Sequence, residues 1–345
     1  MRQVGVFNDT TVTQHYGCHA VMTVLTRELK EVGLVPRFFI PVGCNWKQIK
    51  KQICEEKIDA IIVNGEGTVH HTDRRERARN LTELGFFAKH ELGVPAVLLN
   101  ASLYALDSIA LRNLKGYDEI FVRESSSLSY LTRENILASL VPDLSFFHNS
   151  NHSLYGQYKG NDTILVTDST IKSRAAELKK IAVKNHFNFL AMRPERRCFI
   201  KRIPHNLRGL ARNKNFWQRS SIYENLRRET SPMEDFENFV ALLSSAQGVL
   251  TGRFHSTTLS LSARVPLLAI ESNTPKVGSL LRDVLGGVER LIELDEISGS
   301  NSVSIPPYDI SELRRIDAYL TEGHTLMKDM FRRIETVVNR RKCGD

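Results

Sequence analysis

Arg253 and His255 stand two residues apart in Val249-Leu250-Thr251-Gly252-Arg253-Phe254-His255-Ser256. A short apolar run, Gly248-Val249-Leu250, breaks at Gly252, and helix-like spacing follows from Thr257 to Ala263. Where a buried strand hands over to a helix, α/β proteins hold anions and do chemistry. A guanidinium beside an imidazole at such a point suits a negatively charged substrate that also needs a proton moved. Either residue alone would mean little. The next apolar run, Pro266–Ile270, leads into Glu271-Ser272-Asn273-Thr274-Pro275-Lys276. If the two runs are neighbouring strands, Gly252, Arg253, His255, Ser256, Asn273 and Lys276 converge, although a lone basic residue is usually solvated surface.

Three further strand ends carry unusual residues. Asn64-Gly65-Glu66-Gly67-Thr68-Val69-His70-His71 follows a strongly apolar run, and Gly65 and Gly67 let the backbone turn tightly toward a ligand. It is not a dinucleotide fingerprint, because His70 stands where the third glycine belongs. The plainer reading is a glycine-rich turn. A metal at His70, His71 and Asp73 is disfavoured, since adjacent histidines rarely share an ion and no partner cluster is visible. Arg123, after the run Glu119–Val122, either grips a carboxylate or phosphate or pairs with Glu124 or an acid of a second domain. The first loop, Asn8-Asp9-Thr10 through His15-Tyr16-Gly17-Cys18-His19, is long, polar and histidine-bearing. It suits an acceptor approaching from the other side, or is simply a surface loop.

Alternating elements must position these residues. Strands are expected at Val4–Phe7, Arg37–Ile40, Asp59–Asn64, Val94–Leu99 and Glu119–Arg123, with helices at His19–Val32, Trp46–Glu56, Leu81–Leu92 and Ser125–Thr132. The polar stretch Phe147–Asp162 reads as a domain boundary. Strands then recur at Thr163–Thr167, Phe187–Met192, around Val249 and at Pro266–Ile270, with helices at Lys172–Lys184, Met233–Ala246 and from Thr257. The tail from Ile310 to Lys342 reads as two helices. The expected fold is α/β: two doubly wound Rossmann-like domains facing a cleft, 1–150 on the acceptor side and 160–307 on the donor side, followed by C-terminal helices over 308–345.

The 345 residues suffice for two such domains, and 41% hydrophobic with 25% charged residues is a globular balance. Five scattered cysteines show no paired metal or disulfide spacing. With no long apolar run and no signal-peptide pattern at the start, a cytoplasmic location is expected, with the inner face of the membrane as a refinement. A formal net charge of +8 favours anionic partners. The stretch Arg193–Arg228 holds many basic residues but only two acids, Glu195 and Glu224, with Phe199, Phe216 and Trp217 interleaved. No nucleic-acid module surrounds it, so no nucleic acid is expected. A flap over an anionic substrate or a peripheral contact with acidic membrane fits better, as it does for Arg332, Arg333, Arg340, Arg341 and Lys342.

Taken together, the motifs Asn64–His70, Val122-Arg123-Glu124, Val141-Pro142-Asp143-Leu144, Thr251–Ser256 and Ser272–Lys276 resemble the polysaccharide pyruvyl transferase family, from about Val4 to Leu285. The resemblance implies a GT-B-like fold and transfer of pyruvate from phosphoenolpyruvate to two hydroxyls of a sugar, giving a cyclic ketal. It implies donor-site arginines at Arg123 and Arg253, with Phe254 replacing the leucine of an Arg-Leu-His motif. The first loop departs: relatives often carry Gly-Asp there, whereas this chain has Asn8-Asp9-Thr10 and then His15–His19. On this reading His255 is the acid that protonates the donor's methylene, and His70 or Glu66 takes the hydroxyl proton. Arg123, Arg253, Ser256, Asn273, Lys276 and Gly252 hold the donor, and Asn8, Asp9, His15, His19, Gly65 and Gly67 the acceptor. Phosphoenolpyruvate is a co-substrate; no cofactor and no metal is required. The acceptor is a glycan or lipid-linked sugar of a bacterial-type surface polysaccharide. The same residues also suit a GT-B glycosyltransferase with a CMP-activated keto-sugar or another nucleotide-sugar donor, which passes through a similar cationic carbon beside a carboxylate. A non-enzymatic basic scaffold for nucleic acid or membrane is the remaining alternative.

Overall fold

In the computed structural model, residues 1–148, 161–193, 236–298 and 303–340 are described. Six strands form the first sheet: β1 (Arg2–Asp9), β2 (Leu34–Pro41), β3 (Ala60–Glu66), β4 (Ala96–Ala101), β5 (Glu119–Val122) and β6 (Ser139–Leu140). Their order is β2-β1-β3-β4-β5-β6, and every pair is parallel. The second sheet holds β7 (Asn161–Ser169), β8 (Asn188–Leu190), β9 (Ala246–Gly252) and β10 (Leu267–Ala269) in the order β10-β9-β7-β8, again all parallel. Strands covered on both faces read as unbroken apolar runs. All seven residues of β3 are accordingly buried. The expected neighbours β9 and β10 do pair, Leu250 opposite Leu268.

Each sheet reverses winding once, between β1 and β3 and between β7 and β9. Crevices open at the carboxyl ends of strands at such switch points. The two crevices face one another, in the two-domain, GT-B-like arrangement of Rossmann-like halves. One hydrophobic core runs through both halves. Tyr16, in α1 (Tyr16–Glu31), stacks on Phe239 at 4.3 Å between ring centroids.

The remaining helices, in chain order, are α2 (Lys50–Glu55), α3 (Glu76–Thr82), α4 (Leu84–Phe87), α5 (Ser108–Leu114), α6 (Ser125–Arg133), α7 (Lys172–Lys184), α8 (Phe236–Ser245), α9 (Phe254–Ser262), α10 (Lys276–Leu285), α11 (Leu294–Ser298) and α12 (Ile310–Arg340). The structure corrects the sequence reading in several places. Helix α9 begins three residues before Thr257, because Arg253 takes an extended capping conformation and its carbonyl accepts from Thr257 N. His255 is thereby lifted into the first helical turn. The helix expected at 81–92 is α3, α4 and a π turn over Ala88–Leu92. The tail is one helix of 31 residues rather than two. Gly323 within it is no stop: a side chain there would come within 2.8 Å of Pro142, so the glycine serves close packing.

Helix α12 runs from the second half back onto the first. Arg264 pairs with its Asp317 and Arg290 with its Glu312, while its Lys328 and Arg333 reach Glu28 and Glu119. The expected boundary at Phe147–Asp162 falls mostly outside the described residues, as do all of Arg193–Arg228 except Arg193, the start of the expected helix at Met233, and Arg341 and Lys342. No described helix is long and apolar enough to cross a membrane.

Candidate functional site

A cleft of about 210 Å³ lies between the carboxyl ends of the two sheets. Thr10, His15, Cys18, Glu66, Gly67 and Arg123 line it from the first half; Arg253, Phe254, His255 and Lys276 line it from the second. Among its described lining residues Arg123, Arg193, Arg253 and Lys276 are cationic, and Glu66 is the one acid. Such an excess prepares the space for an anion. A larger recess of about 580 Å³ lies at the opposite end of β5, beside Leu137 and Arg333. It is on the wrong side of the sheet for a switch-point site and contains no histidine or cysteine.

Arg123 is 1% exposed, buried to the degree of the hydrophobic core. Its Nη1 donates to Asp143 Oδ2 at 2.7 Å, its Nε to Ser102 Oγ at 2.8 Å, and its guanidinium lies 4.1 Å over the Phe254 ring. Glu124 stands 3.7 Å away. The residue thus both pairs with acids of its own half and faces the cleft. Burial alone would raise the Asp143 carboxyl, but Arg123 and His255 beside it hold it far below the usual carboxylate range.

His255 joins this group across the domain boundary. Its Nε2 lies 3.3 Å from Arg123 Nη1 and 3.7 Å from Asp143 Oδ2. Its ring meets that of His15 edge-on, with centroids 5.6 Å apart. Burial, then the nearby His255 and Arg253, push His15 well below the ordinary histidine range, so His15 is neutral at neutral pH. The approach requires Gly17, in the first turn of α1: a Cβ there would fall 2.1 Å from His255 Cβ. We expect Gly17→Ala to force α1 and α9 apart, costing about 1–3 kcal/mol and displacing His255. Urea unfolding and turnover of the variant check this. Wild-type values for both would show that the helices yield at no cost.

Arg253 is clamped by Asp168, accepting through both carboxylate oxygens, at 2.9 Å for Nε. Its fork is therefore pre-set, and its Nη1 makes no hydrogen bond to a described residue. Lys276 opens α10, where the helix dipole opposes a cation. Burial, then Arg123, lowers its pKa from 10.5 to about 8. Its Nζ donates to Asn273 Oδ1 at 3.3 Å and faces Gly67, where a Cβ would intrude within 3.1 Å.

Glu66 ends β3 in a left-handed conformation, φ 38°. Asn64 Nδ2 and Thr10 Oγ1 donate to its Oε1, and the Cys18 thiol donates to its Oε2 at 3.1 Å. Other expected site residues make contacts within the fold. Asn8 ties β1 to the Gly67 loop through Asn64 O and Thr68 Oγ1. Asp9 closes a turn with Thr11 N and Oγ1. His19 packs against Phe236, and Gly65 and Gly252 make room for Ala101 and Ser169. Ser256 is fully buried and accepts from Thr167. His70 has both ring nitrogens engaged, Nε2 by Arg75 and Nδ1 opposite His71 at 2.7 Å, and burial with Arg75 lowers it to about 3. Asp73 is exposed and paired with Arg74, so His70, His71 and Asp73 do not converge as metal ligands. The sequence reading assigns no role to Asp143 or Asp168. Asp168 directly follows an apolar run, the same signal that marks Arg253.

A sequence profile of the family described as polysaccharide pyruvyl transferase matches residues 15–274. No curated protein matches significantly. Among solved structures, an uncharacterized protein from Klebsiella pneumoniae is similar at 12% identity and a TM-score of 0.48, covering 85% of this chain and 93% of its own. The UDP-GlcNAc 2-epimerase of Methanocaldococcus jannaschii, in complex with UDP-GlcNAc and UDP, is similar at 15% identity and 0.47, covering 93% and 100%. AviGT4, a glycosyltransferase involved in avilamycin A biosynthesis, is similar at 12% and 0.44, covering 97% and 98%. At such identities and scores they assign this chain no activity.

Proposed function

The chain belongs to the polysaccharide pyruvyl transferase family, and on that premise we propose that it is a transferase moving pyruvate from phosphoenolpyruvate onto two hydroxyls of a glycan or lipid-linked sugar. One observation carries the proposal: Arg123, Arg253 and Lys276 converge on a cleft that also holds His255. Phosphoenolpyruvate brings a carboxylate and a phosphate, and three cations suit both. A volume of about 210 Å³ lies below the usual range of roughly 300–1,000 Å³ for ligand pockets. It suits a three-carbon phosphoester better than a nucleotide sugar.

The residues support one sequence of steps. Protonated His255 gives its proton to the methylene carbon, and positive charge develops at the carbon bearing the phosphate. A sugar hydroxyl attacks that carbon as its proton passes to Glu66. Glu66 is the base rather than His70, because Glu66 lines the cleft and His70 does not. Glu66 passes that proton to the departing phosphate, which leaves as hydrogen phosphate, and the second hydroxyl closes the ketal, releasing the proton that recharges His255. One diol and one phosphoenolpyruvate thus yield one ketal and one phosphate. The first half, with Glu66, takes the acceptor, and the second takes the donor with Arg123 reaching in from the first. Exposed Arg332 and Arg340 on α12 would suit an acidic membrane surface carrying a lipid-linked acceptor.

The deciding experiment incubates the protein with phosphoenolpyruvate and candidate glycans. Phosphate release with a pyruvyl mass gain on the glycan is expected. Thermal stabilisation by CMP, with transfer from a CMP-linked keto-sugar instead, would favour the glycosyltransferase reading.

Lys276 sets a pH dependence. Its proton is present below about pH 8, so donor affinity holds there and falls as pH rises through 8. The stability sign is opposite. Between about 8 and 10.5 the unfolded chain holds a proton the folded chain has lost, so stability rises with pH. Lys276→Met should weaken donor binding about 10–150-fold, the worth of a charge-assisted hydrogen bond, and abolish the pH step in Kd. An unchanged step would place the titrating group elsewhere.

A further inference from the structure

His15, Cys18 and His255 meet in the cleft, and the reaction above uses only the last of them. Each offers one ligand atom, and the three atoms lie within 4.8 Å of one another. In a tetrahedral zinc site, ligand atoms roughly 2.0–2.3 Å from the ion stand about 3.3–3.8 Å apart. A shift on the order of one ångström closes the set. His15 caps α1 and Cys18 lies three residues on, so both face one way, while His255 comes from the first turn of α9.

We propose that His15, Cys18 and His255 form a binding site for a thiophilic divalent cation of the zinc type, bridging the two halves of the molecule. Two imidazoles and a thiolate suit such an ion and leave a fourth position for water or a ligand oxygen. On binding, the Cys18 S–H bond breaks and a sulfur–metal bond forms. The proton leaves through Glu66 Oε2, which already accepts it at 3.1 Å, and passes to solvent. His15 Nδ1 accepts from Gly17 N at 3.2 Å, a single long contact that yields when the ring binds an ion. Of the four neighbouring cations, Arg123 is matched by Asp143 and Arg253 by Asp168, which leaves Lys276 and Arg193 as the charges the ion must tolerate. The ion would take a ring nitrogen of His255 and so remove the acid from use. That consequence rests on the role given to His255; the binding itself does not.

Titration of metal-stripped protein with Co²⁺ tests the binding directly. The expected result is one equivalent, a thiolate-to-cobalt charge-transfer band, and displacement by Zn²⁺. The band should vanish in Cys18→Ser and persist when Cys44, Cys54, Cys198 and Cys343 are all changed to Ser. His15→Ala, which keeps the thiol, should weaken Co²⁺ binding at least about tenfold. No thiolate band in the wild type, a band that survives Cys18→Ser, or an unchanged affinity in His15→Ala overturns the proposal. None of these readouts depends on which donor the protein uses.

Discussion

His255→Ala is expected to lower kcat by about 10²–10⁴-fold, the usual worth of a positioned general acid, while leaving donor affinity within a few-fold. The expectation follows from how the ring is held. His255 is buried, packed against Gly17, and placed between Asp143 and the cleft. Asp143 is ionised throughout the working pH range, and its Oδ2 lies 3.7 Å from Nε2. Arg123 Nη1 lies 3.3 Å from the same nitrogen. Donor affinity instead rests on Arg253 and Lys276, whose placements do not involve the ring. Single-turnover kinetics with phosphoenolpyruvate and an equilibrium measure of donor binding separate the two effects. A kcat within threefold of wild type would move the acid role elsewhere. A loss seen only in donor affinity would recast His255 as a binding residue. Glu66→Gln, measured alongside, should lower kcat while sparing donor affinity, because its contacts are to Thr10, Asn64 and Cys18 of the first half.

Sequence alone exposes the strand ends and hides what restrains them. Parallel strands covered on both faces leave unmistakable apolar runs, so β3, β4, β5 and β9 are legible, and with them the positions of Glu66, Arg123 and Arg253. Two-residue β6 is invisible because it is too short for a pattern, and Asp143 just beyond it is legible only as part of the Val141–Leu144 motif, without its partners. Helix α12 reads as two because Gly323 is there for Pro142 and Phe147, which no local pattern reveals. The acceptor residues expected in the first loop illustrate a second limit. Asn8 and Asp9 are polar strand-end residues like Glu66, yet their polar atoms close turns within the first half. Composition distinguishes a polar loop from an apolar strand; it does not say which polar groups are already hydrogen-bonded. The long-range pairs, Arg253 with Asp168 and His255 with His15 and Cys18, come from 85 or more residues apart in the chain. The first pair forms because β7 and β9 are neighbours in one sheet, and the second only when the two sheets face one another.

Asp143→Ala is expected to destabilise the fold by about 3–5 kcal/mol, the cost of leaving a buried charge without its partner. That is a large share of the roughly 5–15 kcal/mol that holds a typical protein together. Asp143 is 0% exposed and gives one carboxylate oxygen to Arg123 and the other to Ser145 N and Oγ. Without it the Arg123 guanidinium keeps Ser102, the Phe254 ring, and Glu124 at 3.7 Å. Glu124 is a weak substitute, since burial raises its pKa and favours its neutral form. Asp143→Asn, which preserves the shape but not the charge, should fall between the alanine variant and the wild type. Stability and activity can then be pulled apart. Pairing Arg123→Met with Asp143→Leu replaces both charges by apolar groups, a change that often restores buried ion pairs to full stability. The double variant should regain the wild-type urea midpoint yet remain inactive, because the donor has lost a cation and His255 its carboxylate. Recovery of both would reduce the pair to a packing role. A wild-type midpoint for Asp143→Ala alone would mean that Arg123 is balanced by Glu124 after all, and that the carboxylate beside His255 is held there for chemistry rather than for the fold.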